Sequence, residues 1–354
     1  MEQISMERAK GCPRLRKASE EAPEGARWLH RILVSNALPL PAMSDEGAFL
    51  DSLEPDLRAQ WSAEVAYLRG DCGPAKERFR AIGPEDRTWL CACAIAHSAA
   101  VSSGDRDLWA ETMSCLRRAV RTAGPGARPT AKLALTTATA SVLDVIRPPA
   151  WLRKGDASAF DPEARPWAMY IHAKYLQAIR DFPAMLDTAR ATLASISRPG
   201  ADTPLGVYLR LLCAAACYGL DDRAGMERWL AEALESALPH GLIMPFAETV
   251  LAYGDVLDQM LLSDWPGWRR AILMKSREVS REWLTFHNLS AQDDVALGLT
   301  IQEYHLAQLI ANGLTYREAG RYMHLSLGRV RNLMSSIYGK LGIKRRADLG
   351  RRIL

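Results

Sequence analysis

Most of the signatures by which a chain announces an enzyme are missing from these 354 residues. There is no GxxxxGK[ST] phosphate loop, no HExxH, no GxSxG and no Cys/His set at zinc spacing, so the sequence predicts neither an enzyme nor a cofactor or metal site. The longest apolar runs, Leu90 to Val101 and Leu211 to Leu220, are well short of the roughly 18–20 residues that cross a bilayer, so no membrane partner is expected. Period-two alternation of β-branched residues is absent, as is the alternating strand and helix pattern of a receiver domain. The seven cysteines are odd in number and scattered: Cys12, Cys72, Cys91, Cys93, Cys115, Cys213 and Cys217. Cys91-x-Cys93 and Cys213-x3-Cys217 lie in Ala-rich helical stretches where Cys acts as a small hydrophobe, so a disulfide framework is not expected and a reducing cytoplasm is. Residues 1–26 hold Arg8, Lys10, Arg14, Arg16 and Lys17 without the apolar core of a signal peptide, and read as a disordered leader.

What is present is dominated by helix formers. Between Trp28 and about Leu262 the chain is dense in Ala, Leu, Arg and Glu, with Gly and Pro confined to breaks. Turns of one kind recur at Gly70-Asp71, Gly104-Asp105, Leu143-Asp144, Arg180-Asp181, Leu220-Asp221 and Gly254-Asp255, separated by 34, 39, 37, 40 and 34 residues. A period in that range, with a helix on each side of the turn, predicts stacked helical hairpins, and Pro74 and Pro183 suit the first turn of a second helix. Trp61, Trp89, Trp109 and Trp229 recur at helical positions and read as core, and the isolated His97, His172 and His240 as hydrogen-bonded or surface histidines. Trp265 to Leu284 predicts a further helix. Residues 287–298, HNLSAQDDVALG, form the expected linker.

From Leu299 the character changes. Thr300 with Glu303 and Thr315 with Glu318 form two capping boxes, Asn312-Gly313 is a stop signal, and Ser326 is a good N-cap for a third helix. On that helix Val330, Leu333, Met334, Ile337 and Leu341 form an apolar back, while Arg329, Arg331, Asn332, Ser335, Ser336 and Lys340 stay polar. The segment from Leu299 holds ten Lys or Arg against three acidic residues, a balance of +7. Of the chain's 45 basic and 41 acidic residues, 35 and 38 then remain for the rest, a balance of −3. Positive charge concentrated on a small helical unit suits attraction to phosphates.

The tail, residue by residue through Leu299, Thr300, Glu303, Gly313, Leu314, Glu318, Ser326, Val330, Lys340, Leu341, Gly342 and Arg346, resembles the LuxR-type (GerE-like) helix-turn-helix of bacterial transcription regulators. It departs from that pattern at Ala319-Gly320, where the family has Ile-Ala, at Arg329, where it has Thr, and at Leu333, where it has His. The segments AYLRGDCGPAKERF, YLQAIRDFPAMLDTA and CYGLDDRAGMERWLAEAL resemble tetratricopeptide repeats of the kind found in MalT-like regulators. Together these imply an all-α protein: a tetratricopeptide-like array over 27–286 and a helix-turn-helix domain over 299–354. The array would sense an unknown ligand or protein partner, and the tail would bind double-stranded promoter DNA. The resemblance implies that Arg331, Asn332 and Ser335 reach base edges, with Arg329 added as a guanine reader. Thr315, Ser326, Lys340 and Arg346 would contact phosphates. A fourth helix from about Arg346, with Leu349 and Ile353 apolar, would support a homodimer on DNA. The competing expectation is a repeat scaffold whose tail no longer binds DNA.

Overall fold

The computed structural model describes residues 28–141, 148–197, 202–253, 255–291, 299–311, 313–323, 325–346 and 348–349. Every regular element among them is helical and no strand occurs. The first half holds α1 (Glu46–Asp51), α2 (Pro55–Leu68), α3 (Gly73–Ala81), α4 (Trp89–Ser103), α5 (Arg106–Thr122), α6 (Arg128–Ser141) and α7 (Ala150–Lys154). Then come α8 (Arg165–Ala178), α9 (Phe182–Ile196), α10 (Pro204–Gly219), α11 (Arg223–Ala237), α12 (Met244–Thr249), α13 (Val256–Ser263) and α14 (Pro266–Ala291). Three short helices end the chain: α15 (Ile301–Ala311), α16 (Tyr316–Tyr322) and α17 (Leu327–Leu341). Among the described residues no helix is long and apolar enough to cross a membrane; α14 has the length but carries Arg269, Arg270, Lys275 and Arg277.

Each helix from α2 to α6 packs on the next, and so does each from α8 to α11, with α6 and α8 bridging the two runs. The inner helices α4 and α10 are buried on nearly every side. Their sequences, WLCACAIAHSAAVSS and PLGVYLRLLCAAACYG, supply small residues that let neighbours close in around them. The outer helix α5 instead buries one stripe, Leu108, Thr112, Met113, Leu116 and Ala119, at helical spacing. Cys91, Cys93, Cys213 and Cys217 are buried free thiols of this interior. Trp61 and Trp89 are buried, and Trp109 and Trp229 half-buried. His97 meets Thr112 at 3.1 Å, His172 the Leu152 carbonyl at 2.7 Å and His240 the Pro41 carbonyl at 2.9 Å.

The pairs share one turn chemistry. Gly70, Gly104, Arg180 and Asp221 adopt positive φ of 97°, 72°, 63° and 58°. In each case the following residue, Asp71, Asp105, Asp181 or Asp222, accepts a backbone N–H from the start of the next helix. The fourth pair is thus one residue later than the sequence suggests: Asp221 takes the left-handed position and Asp222 the cap. Leu143-Asp144 and Gly254 lie outside the described residues.

The opposite edge is crossed by residues 28–41. Trp28 donates to the Pro84 carbonyl at 2.8 Å, Leu29 to that of Arg87 at 2.9 Å, and Leu40 to that of Asp202 at 2.8 Å, while Arg31 pairs with Glu163 at 2.8 Å. This strap passes the starts of α4, α8 and α10 in turn. Behind α11, α12 packs on α14, and α14 returns to lie on α4. It also continues to Ala291, so the first five residues of the expected linker are helical; residues 292–298 lie outside the described set.

Candidate nucleic-acid interface

The last three helices begin and end where their own side chains dictate. The Thr300 N–H donates to Glu303 Oε2 at 2.7 Å and the Glu303 N–H to Thr300 Oγ1 at 3.2 Å. Thr315 and Glu318 repeat that exchange at 2.7 and 3.2 Å, and Ser326 Oγ accepts the Arg329 N–H at 3.2 Å. Gly313 and Gly342, at φ 100° and 63°, supply the left-handed turns after α15 and α17. The small core consists of Leu299, then Tyr304, Leu306, Ala307, Leu309 and Ile310 from α15, Ala319 from α16, Val330, Leu333, Met334 and Ile337 from α17, and Leu349. Gly320 packs closely on the turn before α17 and on α17 itself: a Cβ there would sit 2.9 Å from the Leu325 carbonyl oxygen and 3.2 Å from Val330. Gly320→Val is expected to cost about 1–3 kcal/mol through overpacking, read as a lower melting transition of the unit. An unchanged transition would show that the two helices separate freely.

The front of α17 is open. Arg329, Arg331, Asn332 and Ser335 are all exposed and none has a side-chain partner among the described residues. Leu333 is different: it is 8% exposed and belongs to the core, so its departure from the family pattern changes packing and leaves the front untouched.

Of the residues expected at phosphates, Thr315 and Ser326 lie exposed at the starts of α16 and α17. Lys340 and Arg346 are committed elsewhere. Lys340 Nζ donates to Glu303 Oε2 at 2.6 Å, and Glu303 is only 4% exposed. Arg346 donates to the carbonyls of Ile310 and Leu314 at 3.1 and 3.0 Å, closing the end of α15. Both therefore stitch α15 to the end of α17. Burial alone would raise the Glu303 carboxyl, but the hydrogen bonds from Lys340, Thr300 and Ser336 outweigh it and hold the pKa at about 2.

Of the expected dimerisation residues, Leu349 is fully buried in the unit's own core and Ile353 lies outside the described residues.

Sequence reasoning passed over Arg317 and Arg321, one turn apart on α16, exposed and without a side-chain hydrogen bond or ion pair at contact distance among the described residues. With Tyr316, Gly320, Leu325, Leu327 and Asp221 they line a cleft of ≈ 580 Å³ between the unit and the array. The signal available was a cationic pair at i and i+4 on one short helix. No group of His, Cys, Asp and Glu among the described residues is arranged to hold a metal ion. No family model, no curated protein and no solved structure matches the chain.

Proposed function

We propose that the chain is a DNA-binding transcription regulator in which the helical array governs a three-helix DNA-reading unit. The observation that carries this reading is the front of α17: two arginines, an asparagine and a serine, exposed and unpartnered on a rigid capped helix, within a segment of formal charge +7. Arg329 and Arg331 suit the two acceptors of guanine and Asn332 the edge of adenine. Arg317 and Arg321 join Lys340 and Arg346, all four exposed, as the cations that would meet the backbone.

Selection of duplexes from a random pool by the full chain at physiological salt tests the reading. Enrichment of a common sequence is expected; a pool that stays random sinks it. On the enriched duplex, Arg331→Ala is expected to cost about 1–3 kcal/mol and to relax preference at one base pair. Arg317→Ala is expected to weaken every duplex alike and to flatten the salt dependence by about one unit of slope. Equal behaviour of the two variants would contradict this division of roles.

A further inference from the structure

The four equivalent turns along one edge of the array are not alike in what they face. Gly70 lies against Ile243 and Lys275, and Gly104 against Glu282, so these two are covered by the segment that closes the array. Arg180 and Asp221 face the three-helix unit instead. They also hold a left-handed backbone without being glycine, a conformation that costs a non-glycine residue about 1 kcal/mol or more and persists where the side chain has work to do.

Their surroundings show what that work is. The Arg180 guanidinium lies 4.8 Å from the ring centre of Tyr322 and 5.8 Å from that of Phe182. Tyr322, the last residue of α16, stacks on Phe182 at 6.2 Å, meets Tyr218 at 5.5 Å and has His305 edge-on at 5.8 Å. It packs on the large core and the small one together. Along the same helix, Asp221 shares a cleft with Arg317 and Arg321.

We propose that the array edge formed by Arg180, Phe182, Tyr218 and Asp221 is a docking surface for the chain's own α16, and that duplex DNA competes with it. The proposal rests on the DNA-binding reading above. In a helix-turn-helix the second helix enters the groove while the first crosses the sugar-phosphate backbone. Here the base-reading front of α17 stays open, and it is the backbone-crossing helix that the array grips. A backbone brought to Arg317 and Arg321 meets the Asp221 carboxylate and the turn carrying it. Docking therefore lowers affinity for all duplexes alike and leaves sequence preference unchanged.

The test compares the full chain with Arg180→Gly, Asp221→Gly and the double variant. Glycine suits both backbone positions, so these chains fold while losing the grip. Two properties are read: hydrogen exchange of the Tyr316–Tyr322 amides without DNA, and affinity for a pool-selected duplex and for a shuffled duplex of equal length. The double variant is expected to show faster exchange in α16, about tenfold tighter binding to both duplexes, and a salt slope steeper by about one to two units. Unchanged exchange overturns the docking surface. Faster exchange with unchanged affinity overturns the competition. If no variant binds either duplex, the DNA reading itself fails and the competition falls with it.

Discussion

Glu303→Ala is expected to destabilise the three-helix unit by about 3–5 kcal/mol, enough to unfold most of a domain with so small a core. The carboxylate accepts three hydrogen bonds at a nearly buried point, from the Thr300 N–H at 2.7 Å, the Lys340 ammonium at 2.6 Å and the Ser336 hydroxyl at 2.7 Å, while the Glu303 backbone N–H donates to Thr300 Oγ1. Truncation removes the carboxylate half of the α15 capping box, leaves the Thr300 N–H without its acceptor and leaves a lysine without its counter-charge. Glu303→Gln, which keeps an acceptor for Thr300 but no charge for Lys340, is expected to fall between wild type and Ala. The folded unit keeps this carboxyl charged down to about pH 2, whereas an unfolded chain protonates it near its ordinary value of 4.5. Its contribution, about 3 kcal/mol, is complete above pH 4.5 and is lost as pH falls through about 2. Hydrogen exchange over α15 and α17 reads both effects; wild-type protection in the Ala variant would remove Glu303 from the centre of the unit.

Glu64→Ala is expected to cost the array a similar 3–5 kcal/mol, for a related reason and with the opposite response to pH. Glu64 is fully buried on α2 and accepts the N–H groups of Val34 and Ser35 at 3.0 and 2.7 Å and the Gln60 amide at 2.8 Å. It is the peg that holds the strap to the stack. Burial pushes its carboxyl up to about 7 despite those bonds. A raised acid stabilises the fold fully below the unfolded value of 4.5, and that contribution disappears as pH rises through about 7. Urea melts at pH 5.5 and pH 8 should therefore show wild type losing about 2 kcal/mol that Glu64→Gln does not lose. Comparing the two proteins at each pH cancels the contrary contribution of His97, which burial lowers to about 4. Parallel behaviour of the two would place a charged Glu64 in the fold.

The sequence made the short-range features of both parts legible because they depend on residues three or four apart. The capping boxes of Thr300 and Thr315, the Ser326 cap, and the buried faces of α15 and α17 all lie within a turn or two of the side chains that cause them. The glycine turns at Gly70 and Gly104 were equally plain. What escaped depends on distant partners. Lys340 reaches Glu303 across 37 positions and Arg346 reaches Ile310 across 36, so the internal bonds of these two cations could not be read from local spacing. The turn at Asp221-Asp222 offered two adjacent aspartates as caps, and only the fold chose between them. The end of α14 was hidden because His287 to Ser290 contains neither Gly nor Pro to stop a helix.

The strap over residues 28–41 changes how the array must behave as a polymer. An open stack of paired helices frays from its ends and tolerates gain or loss of a pair, because each pair meets only its neighbours. In this chain the strap bonds to segments before α4, α8 and α10 at fixed intervals, while α14 returns to α4, so the stack has no loose end and its length is set by the strap. Inserting or deleting one pair would put every later anchor out of register. The array is therefore expected to unfold as one cooperative body, in a single urea transition rather than by fraying from its ends.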